Sequence, residues 1–168
     1  MRALVLEEIN VLPRCQEVDT PSPSPGEVLV HIAGAALNRR DVWISRGQYP
    51  GIKTPIILGS DGCGTVVVAA DGSESWAGKE VMINPSLDWG LDPRTQADGF
   101  SVLGLPRPGT FAEYVTVPAR NLVIKPPHLE SDKAAALPLA GVTAWRALMT
   151  RAAMQPGERV LISGIGGG

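Results

Sequence analysis

The chain is poor in residues that form disulfides or bind transition metals. It has two cysteines, Cys15 and Cys63, and two histidines, His31 and His128, in 168 residues. Two thiols do not build a disulfide scaffold, and their scarcity suits a reducing compartment. None of the four side chains falls at metal-ligand spacing. Long apolar runs are missing too, since no segment approaches the roughly 20 residues needed to span a bilayer. The opening "MRALVLEEIN" places two glutamates where a secretory signal would continue its apolar stretch. Nor is there an excess of one charge: 15 Lys and Arg against 17 Asp and Glu leave a formal charge of −2, and the basic residues are scattered. Without a basic stripe, neither nucleic acid nor an anionic membrane is an expected partner. The expectation is a soluble, cytoplasmic protein.

What is plentiful is turn chemistry. Nineteen glycines and 15 prolines accompany a hydrophobic share of 44%. Together they suggest a core built from many short strands. "MRALVLEE" alternates weakly. In "EVLVHIAGAAL", Val28, Val30 and Ile32 share one face at period two. "TPIILGSDGCGTVVVAADG", "KEVMINPS", "GTFAEYVTVP" and "NLVIKPPHL" supply further strands, and the glycines of "GSDGCG" allow a turn or bulge. Five or more such strands favour a barrel or compact sandwich. Residues 84–108 form a long, polar, proline-rich loop of the kind that is functional or mobile. Asp88, Asp92 and Asp98 within it do not follow a calcium-loop pattern.

After His128 the pattern becomes helical. Ser131 is the expected N-cap of "DKAAALPLAGVTAWRALMTRAAM", with Asp132 favourably placed in the first turn. Pro138 and Gly141 are expected to split the segment into two helices. "QPGE" then turns the chain into a strand, "RVLIS", that runs into "GIGGG".

In this order the pieces resemble the medium-chain dehydrogenase/reductase superfamily. "GEVLVHIAGAALNRRDVWISRGQYP" is similar to that family's second strand and catalytic loop. "PIILGSDGCGTVV", "GTFAEYVTVPARNLVIKP" and "AAALPLAGVTAWRAL…PGERVLISGIGGG" resemble three later segments of it. The resemblance implies a GroES-like, partly open β-barrel over residues 1–130. Residues 131–168 would then be connecting helices, the first strand and the phosphate-loop glycines of a Rossmann domain that this chain leaves incomplete. The fold class expected is mainly β with α.

Zinc members of the family carry a catalytic Cys and His; by motif these positions are Asn38 and Ser60 here. An amide and a hydroxyl are poor Zn²⁺ ligands, so no metal is expected. Zinc stabilises the alkoxide formed in alcohol oxidation. A quinone or enone already has an electron-poor carbon and needs only donors for its developing oxyanion. The expected activity is therefore NADP- or NAD-dependent reduction of quinones or enones, with the isolated chain lacking useful cofactor affinity. A non-catalytic binding module, pairing as a homo-oligomer through residues 131–168, is the alternative; a zinc alcohol dehydrogenase is disfavoured.

Candidate site residues follow from the same alignment of motifs. Asn38 either donates to a substrate carbonyl or the nicotinamide amide, or satisfies its own turn. Of the adjacent Arg39 and Arg40, one contacts substrate or cofactor, or both are solvated. Ser60 either lines the pocket or simply fits a tight bend. Trp43 and Tyr49 either wall a flat substrate or cover the barrel mouth. Asp41 reads as structural, and Asp61, standing where the family has Glu, calls for a cationic partner from the following half. Thr143 matches a position that faces the nicotinamide in related reductases, or else bonds back to a helical carbonyl. Gly164, Gly166, Gly167 and Gly168 would admit the pyrophosphate to backbone N–H groups.

Overall fold

The computed structural model describes residues 1–164. Strands β1 (Arg2–Leu6), β2 (Arg14–Glu17) and β3 (Glu27–Ala36) precede helix α1 (Arg39–Ser45). Next come β4 (Ile56–Ile57), β5 (Asp61–Ala69), β6 (Glu80–Ile83) and the two-residue partners β7 (Ser86–Leu87) and β8 (Ser101–Val102). After β9 (Tyr114–Pro118) and β10 (Leu122–Ile124) the chain turns helical, with α2 (Ser131–Ala135), α3 (Pro138–Trp145) and a π-helical turn over Arg146–Arg151.

Five strands pair antiparallel in the order β10-β6-β5-β3-β9, and three in the order β2-β1-β4. The two sheets are stitched where Leu4 N–H donates to Phe111 O at 2.8 Å. This is the mainly β, GroES-like architecture the resemblance implied. The period-two reading of β3 holds: Val28 and Val30 are fully buried and Ile32 packs against the same cluster. They meet Val66, Val81, Ile83, Val115, Val117 and Leu122. A fully buried aliphatic side chain of this kind contributes about 1.5–3 kcal/mol. Close approach of β3 and β5 requires Gly64, because a Cβ there would lie 2.0 Å from the His31 carbonyl oxygen.

The loop over residues 84–108 is anchored in that core. Leu87 near its start and Leu103 near its end are 1% and 0% exposed, so both ends are held by the core. A second cluster of Leu6, Ile44, Ile56, Leu58 and Leu105 seats α1.

The helical region departs from expectation in three ways. Ser131 is the first helical residue of α2, not its cap; Glu130 holds the N-cap position and makes no side-chain cap bond. Tertiary packing sets that start: Ala134 and Ala135 bury against Cys63, and Gly34 of β3 lies close to the Ser131 backbone. Pro138 does separate two helices, as the first residue of α3, but Gly141 sits inside α3 without breaking it. The strand expected over "RVLIS" does not form. Residues 159–163 enter no β-ladder among the described residues, and Leu161 and Ile162 are 95% and 66% exposed. A central parallel strand needs neighbours on both edges, and none is present among the described residues.

Candidate active site

Helix α1 begins at Asn38 through a capping box. Asn38 Oδ1 accepts from the Arg40 N–H at 3.0 Å, and Asp41 Oδ2 accepts from the Asn38 N–H at 2.9 Å. The second Asp41 oxygen accepts from the Gly59 N–H at 3.2 Å, tying α1 to the turn before β5. Gly59 adopts φ +94°, and a Cβ there would meet Phe111 and Thr110, so only glycine makes this turn. Burial pushes the Asp41 carboxyl above the usual range, against the two backbone donors.

The cap places Arg40 pointing inward. Its guanidinium is the hub of a buried network: Nη1 donates to Ser60 Oγ at 3.0 Å and to Leu103 O at 3.1 Å. Nη2 donates to Leu105 O at 3.0 Å and Val102 O at 3.3 Å. Nε donates to the Tyr49 hydroxyl at 3.2 Å, and the cation lies 4.9 Å from that ring's centroid. Ser60, fully buried, donates its own proton to Leu103 O at 2.7 Å.

Beside this network opens a cavity of about 810 Å³ between the barrel, the 84–108 loop and α3. Arg40, Tyr49, Trp89, Phe100, Val142 and Thr143 line it, with Asn84 and Ser86 among its polar edges. Arg146 and Arg151 also reach it, and no carboxylate does. Trp89 and Phe100 meet edge-to-face with ring centroids 5.0 Å apart. Arg146 stacks on Trp89 at 4.3 Å and donates to Pro93 O and Arg94 O, while Arg151 donates to Arg94 O at 3.2 Å. The outer wall of the cavity is thus latched to the helix that forms its inner wall.

The structure therefore brings Arg40, Tyr49 and Thr143 to one cavity. It does not bring Asn38, Ser60 or Trp43 there. Asn38 Oδ1 is spent on the cap of α1. Ser60 is sealed behind Arg40, and Trp43 is 38% exposed away from the cavity. Gly164 is described, with φ +71°, whereas Gly166, Gly167 and Gly168 lie outside the described residues. Asp61 is 2% exposed, and its Oδ1 accepts from the Leu139 N–H at 2.7 Å. Burial raises its carboxyl above the usual range, and the nearby Asp41 charge adds to that. Trp89, Phe100 and Arg146 escaped the sequence reading. Two aromatics in a polar loop, within a chain that is only 5% aromatic, were the signal for the first two. Among the described residues no three His, Cys, Asp or Glu side chains gather as a metal site would require.

Residues 24–127 match the alcohol dehydrogenase GroES-like domain family. The zinc-type alcohol dehydrogenase-like protein YogA of Leptosphaeria maculans is 40% identical over 90% of this chain and 45% of its own length. Crotonyl-CoA carboxylase/reductase of Cereibacter sphaeroides is 34% identical over 90% of this chain and 39% of its own. A crystal structure of an NAD-dependent alcohol dehydrogenase superposes with a TM-score of 0.87 at 38% identity, over 94% of this chain and 49% of that one. The chain thus spans about half the length of the relatives it matches. With the barrel topology and the matched residues in agreement, the chain belongs to the alcohol dehydrogenase GroES-like domain family of the medium-chain dehydrogenase/reductase superfamily.

Proposed function

We propose that this chain forms the substrate-binding part of an NAD(P)H-dependent reductase that delivers hydride to quinones or enones without a metal ion. The observation that carries the reading is the Arg40 hub, which sits where zinc members of the family need ligands. At the Cys and His positions, Asn38 spends its Oδ1 on the cap of α1 and Ser60 its hydroxyl on Leu103 O. Zn²⁺ wants thiolate, imidazole or carboxylate. A guanidinium nitrogen 3.0 Å from Ser60 Oγ adds a fixed positive charge that repels a dication. These residues do not fit zinc.

They fit a nicotinamide coenzyme better. Thr143 on the cavity wall and the backbone at Gly164 would hold it, and when bound it supplies the hydride. The chain's own residues do the rest. Tyr49, Trp89, Phe100 and Val142 give a flat conjugated substrate apolar and aromatic faces. Because Arg40 Nε donates to the Tyr49 oxygen, the phenolic proton is left to be given to a substrate carbonyl. Negative charge gathers on that carbonyl oxygen as hydride reaches the electron-poor carbon. The Tyr49 O–H and the three arginines of the wall stabilise it in a cavity without opposing carboxylates. The crotonyl-CoA relative supports this substrate class, since a crotonyl thioester is an α,β-unsaturated carbonyl compound.

The test is NADPH and NADH oxidation by this chain fused to the nucleotide-binding half of a relative, offered a quinone, an enone and a simple alcohol. Turnover of either conjugated acceptor supports the proposal. Turnover confined to the alcohol contradicts it.

A further inference from the structure

We infer that Asp61 is a positioning residue: by capping α3 from the barrel, it fixes where that helix presents Thr143 to the cavity. This rests on the reading above that the Thr143 wall is the coenzyme side. The local sequence leaves α3 without a cap of its own. Its N-cap residue is Leu137, which has no polar side chain, and Pro138 at the first helical position has no N–H to offer. Leu139 carries the first free donor of the helix, and that N–H meets Asp61 Oδ1 at 2.7 Å across 78 residues of sequence. A carboxylate at a helix N-terminus also meets the positive end of the helix dipole.

At its far end α3 is tied to the 84–108 loop through Arg146, but little of the helix itself is packed away. Pro138 is its one buried residue, and Val142 and Trp145 are 39% and 67% exposed. Asp61 itself is fixed, at 2% exposure, as the first residue of β5. Its carboxylate therefore joins the start of α3 to β5. Leu139 and Thr143 are four residues apart, so they share a helix face, and both line the cavity. Moving Leu139 moves Thr143.

Three variants test this: Asp61→Ala, Asp61→Glu and Asp61→Asn. Amide exchange at Leu139 and the chemical shift of the Thr143 methyl group are the readouts, and exchange at Val28 and Val30 reports that the barrel is intact. Loss of the cap should speed Leu139 exchange about 5–30-fold in Asp61→Ala. The Thr143 methyl should shift with it. Asp61→Asn, which keeps an acceptor oxygen, should restore both. Should Asp61→Ala fail to fold, Asp61→Glu decides, because the longer side chain should displace α3 and shift the Thr143 methyl. Unchanged Leu139 exchange, or an unmoved Thr143 methyl, in a variant with an intact barrel would overturn the inference. Neither readout requires turnover, so a wild-type protein inactive towards quinones and enones sinks the functional proposal alone.

Discussion

The Arg40 guanidinium donates from Nε to the Tyr49 hydroxyl at 3.2 Å while lying 4.9 Å from the centre of the same ring. One cation thus fixes the phenol's orientation and adds positive charge beside it. Tyr49→Phe should lower kcat for a quinone or enone by about 10²-fold, the usual cost of losing one oxyanion donor. KM should change little, since the ring that contacts the substrate is kept. Steady-state kinetics on both acceptors checks this.

Arg40 should matter for stability as well as chemistry. Removing it leaves Ser60 without its donor and strips hydrogen bonds from the Val102, Leu103 and Leu105 carbonyls. Arg40→Met should cost about 3–5 kcal/mol, as when a buried charged network loses a member. Arg40→Lys should recover little of this, because an ammonium cannot reproduce the planar fork. Denaturant midpoints of the two variants measure the loss.

The 84–108 loop should loosen when its latch is cut. Arg146→Ala removes the stack on Trp89 and the bonds to Pro93 O and Arg94 O. Exchange at the Ala97 and Phe100 amides, which are held by bonds to Trp89 O and Ala97 O, should quicken about 5–30-fold. Exchange at Val30 should stay unchanged.

The acid dependence of stability has a definite sign. The folded-state carboxyls of Asp41 and Asp61 titrate above the ordinary value, chiefly because of burial. Such a group favours the folded state fully below its unfolded pKa of about 3.9, and that contribution is lost as pH rises through the folded value. Asp61→Asn abolishes the Asp61 share. As pH rises from about 4 through the raised folded value, the thermal midpoint of the variant should therefore gain on that of the wild type.

The barrel was legible because its signals are local. Alternation puts Val28 and Val30 inward, and glycine marks the turn at Gly59 and the close approach at Gly64. The motif order also pointed to Arg40, Tyr49 and Thr143, which meet at one cavity. The rest depends on contacts distant in sequence. Asp61 finds Leu139 over 78 residues, and Trp89 finds Arg146 from a loop with no periodicity. Asn38 and Ser60 do not line that cavity, because a motif aligns positions but does not say where a polar atom's bonds are already spent. "RVLIS" carries a buried strand's composition but no strand partner among the described residues.

The most direct test of a metal-free site is elemental analysis of the purified protein, paired with quinone and enone turnover before and after exhaustive chelation. The account predicts zinc far below one ion per chain and turnover that chelation leaves intact. Stoichiometric zinc, with activity lost on its removal and restored on its return, would contradict it.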